Sequence, residues 1–392
     1  MESRLKIGWS ANAAFVNSGY GRQTALFAER LRDLGHEMVL FANYGLTGAG
    51  SMWNGIPVLP AAFDGTGMDI IGAHVDSVKP DLVIILTDAW PLNPQVLKAL
   101  PCPVAVWMPV DCGRADGEPE SALALGAADA RMLAASGAVP VAMSRHGERA
   151  LREAGLSPLY VPHAVDLQIF RPPADRDALR EQWGVTGKFV IGINGANKDG
   201  IRKGYAEQLL AFSRFRKRHP EALLLIHALP QTPGCQLDIE ALARRVGVAD
   251  AVLFSDKYKY AAGLLSPADM ASWYGVLDVY SGCSYAEGFG VPLIEAQACG
   301  TPVVTTDASA MSELKGPGWL AGGEPYWNPV HEAWWVKPSV RSIAGAYEKA
   351  FKLAASKRAA AREWALQYDA DVVLLDYFKP ALDAIMERGN AA

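Results

Sequence analysis

The sequence predicts an α/β protein made of two doubly wound, Rossmann-like domains facing each other across a cleft. Three observations lead there. Apolar runs of strand length alternate with helix-period segments from end to end, the pattern that gives parallel sheets with helices on both faces. The alternation breaks at the proline-rich stretch Phe170-Arg-Pro-Pro173 and then restarts. At 392 residues the chain is also longer than one hydrophobic core usually supports, so two domains of roughly 150–200 residues are the natural division.

The elements follow in order. Leu5–Trp9, Glu37–Ala42, Asp81–Thr87, Val104–Trp107 and Val139–Met143 read as buried parallel strands of the first domain. Between the first two, Arg22–Leu34 repeats Leu26, Phe27, Leu31 and Leu34 on one face of an amphipathic helix. The second strand set is Phe189–Asn194, Ala222–His227, Ala251–Phe254, Leu277–Ser281 and Pro302–Thr306. The boundary falls near residues 165–175, which assigns 1–168 to one domain and 169–365 to the other. From Arg358 to about Met386 the pattern is helical, and Trp364, Leu366, Tyr368, Val372, Leu375 and Phe378 are too apolar for a free tail.

Composition narrows the class. Half of the residues are apolar and a fifth charged, which is ordinary globular usage, and no run of about 18 apolar residues exists to span a membrane. The chain enters its first strand directly, so no signal peptide is expected and the expected location is cytoplasmic. Five scattered cysteines without a C-x-x-C pair argue for reduced thiols rather than a disulfide frame or a zinc site. A net charge of −5 gives no global pull towards nucleic acid or anionic lipid. The basic run Arg214 to His219 and the pair Arg244-Arg245 read as solvated helix ends. His227, on an apolar strand, reads as a satisfied core histidine.

The most informative segment runs from Ser284 to Pro302. It sets Glu287 and Glu295 eight residues apart around the loop Gly288-Phe289-Gly290, followed by Val291 and Pro292. Pro292 suits the first helical position, and Gly300 with Pro302 marks a helix end. Glu287 is therefore expected on a loop and Glu295 in the first turn of a short helix. Loop N–H groups and the positive helix end would face one pocket suited to a phosphate, with a carboxylate at each side for sugar hydroxyls. Exposed pairs of glutamates are common on helices, and the glycines and helix punctuation are what set this pair apart.

This stretch resembles the E-x7-E signature of retaining glycosyltransferases of GT-B architecture, in the large family usually numbered four. The resemblance implies that Glu295 holds the donor ribose, and that Glu287 holds the sugar hydroxyls together with the N–H groups of Gly288, Phe289 and Gly290. A second motif, Gly195-Ala-Asn197-Lys198-Asp-Gly-Ile-Arg202-Lys203-Gly204, lies between a strand and a helix, where glycines and cations would lodge a diphosphate. Lys203 with Gly204 matches the family's lysine-glycine pair. Lys198 stands where the family usually has an arginine, and Arg202 is expected to share its contact because lysine lacks the bidentate fork. Val161-Pro-His163-Ala-Val-Asp166 resembles the family's interdomain segment, with His163 structural. The resemblance also implies that the last helix, from about 366 to 392, crosses back to the N-terminal domain.

Three further sites complete the expectation. The loop Asn17-Ser-Gly19-Tyr20-Gly21 before the first helix resembles the family's glycine-rich loop near the donor phosphate and sugar; glycine there would allow positive φ and close approach. Asp111 stands close to where many relatives carry a histidine, which makes it the candidate for a sugar or acceptor contact. Asp88 and Trp90, at the end of the preceding strand, are candidates for the acceptor side. Capping of loops by short acids is an equally good reading of Asp88 and Asp111.

The activity implied is transfer of a hexose, with retention, from a nucleotide diphosphate sugar (a UDP-sugar favoured) to an acceptor hydroxyl. Glu287, Lys203 and Asp111 would carry it, with no metal or other cofactor. The N-terminal run through Trp53-Asn-Gly-Ile-Pro is similar to a subgroup spread among bacteria and phages. That makes a 5-hydroxymethylpyrimidine in phage-type DNA one acceptor, beside a glycan, a lipid or a protein. The rivals are a sugar-nucleotide epimerase, which lacks a matching histidine-glutamate set here, and an inactive donor-binding protein.

Overall fold

The computed structural model describes residues 4–113 and 127–391. They divide into two compact units. One comprises the chain up to Ala164 together with the segment from Tyr368 onward, and the other is Val165–Gln367. Both are Rossmann-like sheets of mainly parallel strands, as the alternating pattern predicts.

Among the described residues the first unit holds an eight-stranded sheet. Its strands are β1 (Lys6–Asn12), β2 (Glu37–Thr47), β3 (Ser51–Trp53), β4 (Ile56–Ala61), β5 (Leu82–Leu86), β6 (Val104–Met108), β7 (Val139–Ala142) and β8 (Leu159–Tyr160). Their spatial order is β3-β4-β2-β1-β5-β6-β7-β8. The central strands are apolar on both faces because helices cover both sides: every residue of Leu82–Leu86 and Val104–Met108 is buried. The returning C-terminal segment completes this core, with Phe378 stacked on Trp9 at 5.8 Å and lying 5.0 Å from Phe27.

One edge departs from the expected all-parallel sheet. β3 pairs antiparallel with β4, joined by Asn54 (φ 47°) and Gly55 (φ 81°). Both residues take positive φ, the geometry that lets a two-residue turn match the strand twist. β2 also runs on to Thr47, beyond the predicted end at Ala42, after a register shift opposite Ala11 and Asn12.

The second unit carries β9 (Phe189–Asn194), β10 (Ala222–His227), β11 (Val252–Phe254), β12 (Val279–Gly282), β13 (Val303–Thr306) and β14 (Trp319–Ala321). They are ordered β11-β10-β9-β12-β13-β14, all parallel. Ile191, Ile193, Phe212, Phe215, Leu224 and Tyr347 lie in its core. His227 is buried there and its Nδ1 lies 2.9 Å from Ser255 Oγ, so it is satisfied as predicted. An antiparallel hairpin that the pattern did not predict, β15 (Gly323–Asn328) with β16 (Ala333–Pro338), follows the sheet. The C-terminal helical pattern is not one run from Arg358: a helix spans Val340–Ala365, breaks at Leu366–Tyr368, and resumes in shorter pieces. Among the described residues no helix is long and apolar enough to cross a membrane.

Candidate functional site

In the second unit the chain leaves β9 at Asn194, forms the loop 195–204, and enters the helix Tyr205–Arg216. Gly204 caps that helix with φ 59°, and a Cβ there would meet Cys283 O at 2.3 Å. Only glycine fits, because the residue is both left-handed and pressed against the end of β12. That close approach brings the loop's cations to the segment carrying Glu287.

The Glu287 carboxylate sits between two of them. Lys203 Nζ donates to Oε1 at 2.5 Å, and Arg202 Nη1 donates to Oε2 at 3.1 Å. Ser284 Oγ adds a third donor to Oε1 at 2.6 Å, and the Glu287 N–H donates to Ser309 Oγ at 3.2 Å. Burial alone would push this carboxyl up; the Lys203 and Arg202 charges outweigh it and hold it down at about 2. Burial, with the neighbouring Arg202, lowers Lys203. Asp199 organises the loop: its Oδ1 accepts the N–H groups of Ile201 and Arg202, and its Oδ2 the Arg202 Nε at 3.2 Å.

Glu295 differs from its expected placement. The helix is Val291–Ala298 with Gly290 (φ 113°) as its cap, so Pro292 is the second helical residue and Glu295 lies in the second turn. Its side chain is buried and accepts from Tyr274 OH at 2.8 Å. Tyr274 OH accepts in turn from Asn194 Nδ2 at 2.8 Å. Glu295 is thereby tied to the end of β9, beside the cationic loop.

Other predicted residues are placed unevenly. Lys198 is exposed on the loop. Asn197 is buried, and its amide donates to Pro230 O and Leu237 O, so the side chain braces the neighbouring 230–237 segment. Gly288 and Phe289 are buried, and Gly290 and Val291 are partly exposed. Among the described residues no group of three His, Cys, Asp or Glu could hold a metal ion.

In the first unit Gly19, Tyr20 and Gly21 are not a loop. They form the first turn of the helix Gly19–Asp33, capped by Ser18, whose Oγ accepts from the Gly21 N–H at 3.0 Å. Neither glycine takes positive φ. Gly21 is required instead by contact, since a Cβ would lie 2.2 Å from Val16 O. Asp88 and Asp111 are partly exposed and Trp90 is exposed, on the loops after β5 and β6. His163 is buried against Trp107 at 4.7 Å, and burial pulls its ring down to about 3, as fits a structural histidine.

Sequence reasoning missed several residues. Ser284 stood inside the quoted motif, where a hydroxyl three residues before a carboxylate could have been noticed. Ser309 and Tyr274 gave no local signal. His146, whose Nε2 lies 2.6 Å from Cys112 O beside Asp111, is 34 residues away in sequence.

Known proteins resemble this chain in two ways. Residues 175–352 match the family model for glycosyl transferases group 1. A D-inositol 3-phosphate glycosyltransferase of Arthrobacter sp. (strain FB24) is 32% identical over 191 residues, 47% of this chain and 43% of that protein. The chain thus spans less than half the length of the curated relatives it matches. Among solved structures, the sucrose-phosphate synthase of Thermosynechococcus elongatus superposes with a TM-score of 0.74 at 16% identity, covering 97% of this chain and 99% of that one. Anabaena HepE in complex with UDP-glucose gives 0.69 at 16% identity, covering 97% and 100%. The fold is that of GT-B glycosyltransferases.

Proposed function

We propose that the protein is a retaining, metal-independent glycosyltransferase that takes a hexose from a nucleotide diphosphate sugar, with a UDP-sugar favoured. The carrying observation is the Glu287 carboxylate clamped between Lys203 and Arg202, within the segment that matches the group 1 transferases. The two cations neutralise this carboxylate. A donor diphosphate at the loop would compete for them and free Glu287 for the sugar hydroxyls. Glu295 would hold the ribose, and loop 195–204 with Lys198 the phosphates.

In the reaction the bond between the anomeric carbon and the leaving phosphate oxygen breaks. The acceptor oxygen bonds to the same face, and its proton passes to the departing phosphate. Charge accumulates on that phosphate in the transition state, so fixed cations lower the barrier more than they tighten ground-state binding. Lys203 and Arg202 fill the place that a metal ion would otherwise take, and Asp111 is the candidate contact to the sugar or acceptor.

The test is a thermal-shift panel of UDP-, GDP- and ADP-sugars followed by donor hydrolysis without acceptor. A donor at a hundredfold excess over Kd adds about 2.7 kcal/mol of stability. Wild type should release free sugar and Lys203→Ala should not. Equal release from both would overturn the phosphate-site assignment.

A second reading concerns the acceptor. DNA carrying hydroxymethylated pyrimidines would need a basic surface, and the groove lined by Arg214, Lys217, Arg218 and Arg341 lies at the opposite end of the helix Tyr205–Arg216 from Gly204, with Arg218 paired to Glu348. Glycans, lipids and proteins remain the alternatives of the same chemistry.

A further inference from the structure

Four neighbouring strands of the first unit each end in an exposed aromatic. In the spatial order β4-β2-β1-β5 these are Phe63 after β4, Tyr44 near the end of β2, Phe15 after β1 and Trp90 after β5. The strands are parallel, so all four residues stand at the carboxyl edge, where doubly wound sheets bind their ligands. Phe63 is fully exposed, and Trp90, Tyr44 and Phe15 are 69%, 59% and 50% exposed. At roughly 4.8 Å per strand the row is about 14 Å long.

The row is built rather than loose. The Phe63 and Asp64 N–H groups both donate to Asp69 Oδ2, at 2.9 and 3.0 Å, which fixes the backbone that presents Phe63. Ala13 N–H donates to Tyr44 O at 2.9 Å, and Gly45 lies so close to Val16 that a Cβ would come within 2.1 Å of its methyl. Beneath the 62–70 loop, Asn43 Oδ1 is buried with no hydrogen-bond partner among the described residues.

The charges here select the ligand. The described loop residues 13–18, 43–50, 62–70, 87–93 and 109–113 carry Asp64, Asp69, Asp88 and Asp111 and no lysine or arginine; of the cations nearby, Arg22 donates to Asn17 Oδ1 at 3.0 Å and Arg145, after β7, pairs with Glu148 at 2.7 Å. A phosphate backbone needs Lys or Arg to replace its counterions, and a carboxylate-lined edge repels it. Sugar rings have the complementary chemistry: apolar C–H faces for aromatic rings, and hydroxyls that donate to carboxylates and amide oxygens. From this edge we infer that the acceptor is a carbohydrate without phosphate or carboxylate groups, bound along the row Phe63, Tyr44, Phe15 and Trp90. This rests on the transferase reading above.

The test measures binding, not transfer. Saturation-transfer NMR on the full chain would be run with glucan, mannan and N-acetylglucosamine oligosaccharides, and separately with a duplex containing 5-hydroxymethylcytosine. An oligosaccharide should bind, the duplex should not, and Phe63→Ala and Trp90→Ala should each weaken binding at least tenfold while Phe63→Trp restores it. Binding of the duplex alone, of no oligosaccharide, or binding untouched by either alanine variant would overturn the inference. Oligosaccharide binding in a protein that hydrolyses no donor would leave the row standing and remove the transferase. Donor hydrolysis with no oligosaccharide bound would do the reverse.

Discussion

In the first unit the chain leaves β1, turns through Ala13–Asn17 and enters its helix on the Ser18 hydroxyl. In the second it leaves β9, crosses loop 195–204 and enters its helix on Gly204. The two junctions occupy the same place in similar sheets. Each needs a glycine because a backbone carbonyl stands where a Cβ would go, at 2.2 Å for Gly21 and 2.3 Å for Gly204. Their chemistry diverges. Residues 13–18 carry no charge, while 195–204 carry Lys198, Arg202 and Lys203 against Asp199. Glycine at such a junction reports packing; the cations beside it meet the Glu287 carboxylate.

Four substitutions or titrations would break or sharpen that contrast. The largest effect is expected from Lys203→Ala, which removes the cation proposed to meet the leaving phosphate and should cut donor hydrolysis by about 10²–10³. The same variant leaves a buried carboxylate short of a partner, so urea unfolding should show a clear loss of stability. Unchanged turnover would put the two junctions back on an equal footing.

Acid is the second probe. Glu287 is held at about 2, below its ordinary value of 4.5, so its stabilising contribution is complete above about pH 4.5 and is lost as pH falls towards 2. That contribution is about 3 kcal/mol at most, from 1.36 kcal/mol per unit. The stability gap between wild type and Glu287→Gln should therefore narrow over that window. A gap independent of pH would remove the clamp from the account.

Third, Gly204→Ala combines a backbone clash with a left-handed conformation, and should cost about 2–3 kcal/mol or more. Gly21→Ala meets the clash without the conformational penalty, so calorimetry should rank it as the milder change. The reverse ranking would mean that the first junction is the more tightly built.

The smallest effect belongs to Ser18→Ala, about 1 kcal/mol for a lost helix cap. Ser18 Oγ also accepts from Asn12 Nδ2 at 2.7 Å, which places the change towards the upper end of that range. No equivalent exists at Gly204, which has no side-chain cap. A thermal midpoint unmoved by Ser18→Ala would show that packing alone holds the first junction.

Much of this was legible in the sequence. Strand runs such as Leu82–Leu86 and Phe189–Asn194 announce themselves because burial on both faces demands continuous apolar residues. Glu287 and Lys203 could be named because each lies in a short motif with its own glycines. The β3–β4 turn was legible too, since Asn54-Gly55 is a strong hairpin signal, but the flanking strands are short and the signal went unread. Glu295 was misplaced by one residue because a proline serves equally at the first or second helical position.

The sequence by itself determined the fold class, the two strand sets and the residue types of the cationic loop 195–204, all of which are encoded in local periodicity and short spacings. Only the tertiary structure decided which charges meet. Arg202 and Lys203 lie more than 80 residues from Glu287 along the chain, and their pairing exists because Gly204 lets the start of a helix touch the end of β12. The aromatic row is of the same kind. Phe15, Tyr44, Phe63 and Trp90 are scattered along the sequence, and become neighbours only because β4, β2, β1 and β5 lie side by side in parallel.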